Sequence, residues 1–179
     1  AVCRRLASMN GNAVVANCLP GYELKDDWLQ KMRAEGFENV HAAEGDVTHF
    51  ESVAGMVKDI EAELGPVDIL VNNAGIIRDN MLRRMSPGEW LAVINTNLNS
   101  AFNVTKNVID GMCERGFGRI VNISTAATKY PTEIRTLSGP PRAALSNYTT
   151  AVAKSVARYN VTINNLLPGP FETDRLWAT

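Results

Sequence analysis

Short β-branched apolar runs alternate along the chain with stretches in which apolar positions return every three or four residues. Ala13 to Cys18 is the first run, and Leu24 to Gly36 follows with Trp28, Leu29 and Met32 on one helical face. Asn39 to Glu44 reads as a second strand, closed by Gly45-Asp46. Thr48 with Glu51 three residues on spells a capping box, and Val53, Met56, Val57, Ile60 and Leu64 then make one apolar stripe. Gly65-Pro66 ends that helix. Val67 to Val71 is an apolar run, as expected of a strand that helices cover on both faces. Ser86-Pro87-Gly88-Glu89 is a second capping box with proline at the first helical position, and its helix runs to about Arg115, where Gly116 and Gly118 stop it. Arg119 to Ser124 is the next strand, and residues 125–141, polar and holding three prolines, read as a loop. Ala143 to Arg158 predicts a helix with Leu145, Tyr148, Val152 and Val156 aligned, and Val161 to Leu167 a last strand before Pro168-Gly169-Pro170. Strands alternating with crossover helices predict an α/β fold, a doubly wound parallel sheet in one domain over residues 1–179.

The 179 residues carry 18 Lys+Arg against 19 Asp+Glu, a net charge of -1, with 45% apolar residues. So balanced a charge, with no basic run, leaves no electrostatic footprint for nucleic acid or an anionic membrane. The apolar runs are far shorter than the roughly 20 residues a membrane span needs. Ala1 to Leu6 holds two arginines and no apolar core of a secretory signal, so the expected location is cytoplasmic. Cys3, Cys18 and Cys113 are scattered, and His41 and His49 have no partner at ligand spacing, so reduced buried thiols are expected and no metal site.

In doubly wound sheets ligands bind beyond the carboxyl ends of the strands. The residues there are Asn17-Cys18, Asp46, Asn73-Ala74-Gly75, Ser124-Thr125 and Pro168-Gly169, mostly small, so that a ligand can approach the backbone closely. Any one of them alone reads as an ordinary strand-to-helix turn. As an ordered set, Asn72-Asn73-Ala74-Gly75, Asn97 within Asn95-Thr96-Asn97-Leu98, Asn122-Ile123-Ser124-Thr125, and Pro168-Gly169 with Thr173-Asp174 resemble the short-chain dehydrogenase/reductase family over nearly the whole chain. Residues 65–124, with Ile77-Arg78-Asp79 and Phe102 to Lys106, look like its acetoacetyl-CoA and 3-oxoacyl-carrier-protein reductases.

The resemblance implies a Rossmann-like fold and a set of roles. Asp46 would accept a hydrogen bond from the adenine, and Asn73, Ala74 and Gly75 would pack against its ribose. Asn97 would hold a helix kink and a relay water. Pro168, Gly169 and Thr173 would fix the nicotinamide end, and Thr125 stands where the family has its substrate-orienting serine. The family's glycine-rich loop, GxxxGxG, is absent, and Ala1 to Met9 looks like the helix that follows it. The expectation is therefore an interior piece of a longer reading frame, incomplete at both ends, with open strand ladders around the missing first strand. As 179 residues alone it is expected to fold poorly and to release NADPH; a cooperative melt with micromolar cofactor binding would contradict this.

The family's acid is the tyrosine of YxxxK, thirteen residues after the serine. Counting from Thr125, that position is Ser138, and the lysine position is Arg142; no YxxxK occurs in the chain. Reduction of a ketone needs a proton on oxygen as hydride reaches carbon. A tyrosine of pKa about 10 can be tuned toward neutrality by neighbouring positive charge, and general acids contribute on the order of 10²–10⁴-fold. A serine is far weaker, and Arg142 can bind ribose hydroxyls but cannot release its proton. Tyr130, after Lys129, is either a substitute acid or half of an exposed loop pair. Arg78, Arg83 and Arg84 read as contacts to thioester phosphates or as solvated charges, and Met81, Leu82 and Met85 as an acyl path or as core.

Two functions are thus expected. One is NADPH-dependent reduction of a 3-oxoacyl thioester, as small-molecule substrate, to the 3-hydroxyacyl thioester. The other is a catalytically degraded nucleotide-binding relative, a pseudoenzyme or assembly partner. Leu19-Pro20-Gly21-Tyr22 lacks the acidic residue that binds the 2′-hydroxyl of NAD, which disfavours NAD(H) against NADP(H). The resemblance also implies a homo-oligomer, dimer or tetramer, through the helices at Phe102 to Arg115 and Ala143 to Arg158.

Overall fold

A computed structural model describes residues 2–9, 11–133 and 135–169. Thr173 and Asp174 lie outside them. The chain divides into two compact units at Pro66/Val67. The first holds α1 (Val2–Ala7), β1 (Val14–Cys18), α2 (Lys25–Ala34), β2 (Val40–Glu44) and α3 (Phe50–Leu64). Its two strands pair in parallel, Val14 opposite Val40 and Cys18 opposite Glu44. Met32 of α2 and Val40 are almost completely buried with Ala7 and Val14, and Trp28, Leu29 and Phe37 pack around them, so the apolar face read on α2 is the one it buries. In α3, Val53, Met56 and Val57 are buried, whereas Leu64, at the helix end, is exposed.

The second unit runs through β3 (Ile69–Asn72), α4 (Pro87–Ile94), a π-turn (Asn95–Asn99), α5 (Ser100–Arg115), β4 (Gly118–Ile123), a 3₁₀ turn (Ala126–Thr128), α6 (Gly139–Val156), a second 3₁₀ turn (Ala157–Tyr159) and β5 (Val161–Leu166). Its sheet is parallel, in the order β3-β4-β5. Because β3 is an edge strand of this sheet, Ile69 is 47% exposed, and the two-sided burial expected for the Val67–Val71 run does not occur in this unit. Gly118 opens β4 against Met112, whose side-chain atoms fill the space a Cβ would take. Gly116 ends α5 in the left-handed region at φ 69°.

Two helix starts depart from the sequence expectation for identifiable reasons. The Thr48/Glu51 box does not form: Thr48 donates through both its N–H and Oγ1 to Asp46 Oδ1, at 2.9 and 2.7 Å, and α3 begins only after His49. Asp46 captures the threonine in a local turn, which competes with capping. Helix α6 starts at Gly139, four residues before the expected Ala143, because Pro140 and Pro141 fall in the first turn, where no N–H is needed. The three cysteines are free and half-buried rather than buried. Among the described residues no helix is long and apolar enough to cross a membrane.

Candidate active site

The strands of the second unit are held together by a row of asparagines. Asn72, Asn122 and Asn165 lie opposite one another in the parallel register. Asn72 Nδ2 donates to Asn122 Oδ1 at 2.8 Å and to Thr105 Oγ1 at 3.2 Å. Asn122 Nδ2 in turn donates to Thr149 Oγ1 at 2.8 Å and Asn165 Oδ1 at 3.1 Å. Thr105 is on α5 and Thr149 on α6, so this buried network fixes both helices to the sheet just below the strand ends. Buried amides are tolerated here because each finds partners. The sequence carried a signal for it: an asparagine in the buried phase of β4, after Gly118 and Ile120, with asparagines at the matching places in β3 and β5.

Above that row, the loop leaving β3 is pinned from two sides. Asn97, 4% exposed in the π-turn, accepts from Ile76 N–H at 2.8 Å through Oδ1 and donates to Ile76 C=O at 2.9 Å through Nδ2. From α6, Arg142 Nη2 donates to Ala74 C=O at 3.2 Å, and the guanidinium lies where a Cβ on Gly75 would fall. Any side chain at Gly75 would displace it. Burial pulls the Arg142 pKa down from its ordinary value, and among the described residues no carboxylate forms an ion pair with it.

Thr125 caps the 3₁₀ turn, its Oγ1 accepting from Ala127 N–H at 3.3 Å, which leaves the hydroxyl proton for another partner. Ser124 N–H bonds Leu166 C=O at 2.7 Å, and Ala126 N–H bonds Pro168 C=O at 3.0 Å, which ties the ends of β4 and β5 together. Ser124 Oγ is buried and has no hydrogen-bond partner among the described residues. Gly139, at the start of α6, packs so close to the Ala127 carbonyl that a Cβ would stand 3.2 Å from it.

Ser138, immediately before α6, is engaged by Asp79. Its Oγ donates to Asp79 Oδ2, and the N–H groups of Leu137 and Ser138 donate to Asp79 Oδ1 at 3.0 and 2.9 Å. Thr136 Oγ1 also bonds the Asn80 carbonyl.

Asn97, Arg142, Ala74 and Gly75 thus meet around the loop leaving β3, Ser138 holds the same loop farther on through Asp79, and the turn that Thr125 caps is tied to Pro168 at the ends of β4 and β5. Asn73 and Gly169 are exposed beside it. Asp46 belongs to the first unit, where Thr48, above all through its side-chain hydrogen bond, holds the carboxyl below its usual pKa. Tyr130 is 74% exposed, as are Met81 at 61% and Leu82 at 77%, which removes the last two from the core. Sequence reasoning assigned no role to Asp79 or Ile76.

A sequence model described as short chain dehydrogenase matches residues 1–179. The chain is 47% identical over 178 residues to nodulation protein G of Azospirillum brasilense, and 44% identical over 178 residues to acetoacetyl-CoA reductase of Cupriavidus necator. In both cases 99% of this chain matches 72% of the relative. A 3-oxoacyl-[acyl-carrier-protein] reductase of Vibrio harveyi is 41% identical over 72% of this chain and 52% of its own length. Among solved structures, a gluconate 5-dehydrogenase from Burkholderia cenocepacia in complex with NADP and tartrate superposes with a TM-score of 0.89 at 33% identity, over 99% of this chain and 68% of that one. The parallel strands, the network at their carboxyl ends and these matches agree: the chain belongs to the short-chain dehydrogenase family of oxidoreductases.

Proposed function

We propose that this protein reduces a 3-oxoacyl thioester of the acetoacetyl-CoA type to the 3-hydroxyacyl thioester, with NADPH preferred over NADH. The observation that carries the reading is the loop after β3 held between Asn97 and Arg142, with the turn that Thr125 caps packed against the start of the helix that bears Arg142, in a chain 44% identical to an acetoacetyl-CoA reductase. The bare backbone at Gly75, with Arg142 in the place of a side chain, suits the close approach of a flat ligand. When bound, the reduced nicotinamide supplies hydride to the carbonyl carbon. Thr125 Oγ1 accepts from Ala127 N–H through one lone pair and, through its hydroxyl proton, hydrogen-bonds the carbonyl oxygen and orients it. Arg142 binds ribose hydroxyls and contributes positive charge without giving up a proton. Asn73, Ala74 and Gly75 pack along the adenine ribose, Asp46 accepts from the adenine, and Pro168, Gly169 and Thr173 flank the nicotinamide.

The finer assignments belong to the same reading. Both units form a single Rossmann-like domain. Phe102 on α5, 45% exposed and edge-to-face with Tyr148 of α6, lies on the helices through which two or four copies assemble. The reaction takes place in the cytoplasm.

The test is NADPH oxidation with acetoacetyl-CoA by the purified protein, beside the double variant Ser138→Tyr/Arg142→Lys. Turnover by the parent supports the reading. A silent parent that gains activity in the double variant replaces it with a catalytically degraded relative.

A further inference from the structure

Asp79 makes three hydrogen bonds to the start of α6 and has no role in the reading so far. Oδ1 accepts from the N–H groups of Leu137 and Ser138 and so places negative charge at the helix N-terminus, where the helix dipole favours it. Oδ2 accepts the Ser138 hydroxyl, which fixes the polarity of that hydroxyl. With its proton directed at Asp79, Ser138 Oγ faces any other ligand with lone pairs only. A phenol at the same place would donate to a carbonyl; this serine is arranged to accept from an alcohol. Four residues on, Arg142 reaches the Ala74 carbonyl, so Asp79 and Ala74 bracket one loop against one helical turn of α6.

We propose that Ser138 and Asp79 form a proton-accepting pair that drives the alcohol direction of the reaction. This rests on the function proposed above. The substrate is a secondary alcohol, the 3-hydroxyacyl thioester, and the oxidant an oxidised nicotinamide dinucleotide. The alcohol O–H bond breaks as its proton passes to Ser138 Oγ, while the serine's own proton passes to Asp79 Oδ2. The carbinol C–H bond breaks with its electron pair, hydride goes to the nicotinamide ring, and C=O forms. Asp79 ends protonated and returns the proton to water. Ser138 touches the substrate; Asp79 acts through it as a positioning residue. In the reductive direction the relay runs backwards, from water through Asp79 and Ser138 to the carbonyl oxygen; reduction takes up a proton and oxidation releases one, so reduction gains as pH falls and oxidation gains as it rises. The charged groups on the elements around Asp79 are Arg78, Arg83 and Arg84 on its own loop, Arg135 ahead of α6, Arg142 in the first turn of α6 and Glu89 at the start of α4. Among the described residues none of them forms an ion pair with it.

Kinetics of both directions across pH, on wild type, Asp79→Asn, Ser138→Ala and the double variant, test the pair. Asparagine keeps an oxygen for the Leu137 and Ser138 N–H groups, so the start of α6 survives, but its amide nitrogen cannot accept the serine's proton. Ser138→Ala leaves both backbone bonds to Asp79 in place. Each single variant is expected to lose about 10²–10⁴-fold in oxidative kcat with KM little changed. The double variant is expected to be no slower than either, and the opposed pH profiles to flatten. Wild-type kcat and pH profile in Asp79→Asn or in Ser138→Ala would overturn the pair alone. A drop in melting temperature with the pH profile intact would do the same. A wild type that transfers no hydride in either direction would overturn the pair together with the function on which it rests.

Discussion

Asn122 ties all three strands of the second unit's sheet to helix α6. It is 2% exposed, accepts from Asn72 and donates to Thr149 and Asn165. Asn122→Ala leaves the Asn72 amide with Thr105 as its remaining side-chain partner and two acceptors without their donor. The expected cost is about 2–3 kcal/mol, since orphaned buried polar groups lose their desolvation energy outright. Chemical denaturation measures it, and a midpoint unchanged from wild type would contradict the network's importance. At this scale the sequence was partly legible. The family resemblance pointed to Thr125, Ser138 and Arg142; the structure places Ser138 and Arg142 one turn apart at the start of α6, both bonded to the loop after β3, and Thr125 at the cap of the turn after β4. It did not reveal that Asp79 accepts a hydrogen bond from the Ser138 hydroxyl, because that bond spans 59 positions and depends on how two loops meet.

Helix starts show how far local patterns reach. Two capping boxes were legible, Thr48 with Glu51 and Ser86 with Glu89, and only the second forms, with Glu89 N–H bonding Ser86 Oγ at 3.1 Å and Ser86 N–H bonding Glu89 Oε2 at 2.7 Å. The difference is a competing acceptor two residues before Thr48, namely Asp46; at the second box Pro87 reinforces the helix start instead. Ser86→Ala is expected to lower stability by about 1 kcal/mol, whereas Thr48→Ala leaves the start of α3 without any lost cap. Thermal melts of the two variants separate these outcomes. Backbone and side-chain bonds from Ser86 hold the Glu89 pKa below its ordinary value. The depressed value means that Glu89 contributes stability at pH above the unfolded carboxyl value of about 4.3, and that this contribution disappears as pH falls through the lower folded value. A Glu89→Gln variant should therefore show a shallower acid loss of melting temperature than wild type; identical slopes would count against the box.

Over the whole molecule, alternation of periodicities sufficed to predict parallel α/β order, because each β-α step writes its own local pattern. What periodicity could not supply was strand neighbourhood. The run before Asn72 looked two-sided, yet β3 has a ladder partner on one side in its sheet and leaves Ile69 exposed. Family membership follows from sequence and fold together, and the residues at the carboxyl ends of β3, β4 and β5 are proposed to serve hydride transfer to a 3-oxoacyl thioester. The most direct measurement supplies the purified protein with acetoacetyl-CoA and NADPH deuterated on the transferable position of its nicotinamide. Mass spectrometry then follows the label into product. The expected product is 3-hydroxybutyryl-CoA carrying one deuterium on the carbinol carbon. Acetoacetyl-CoA recovered unreduced, from protein shown to be folded and to hold the cofactor, would contradict it.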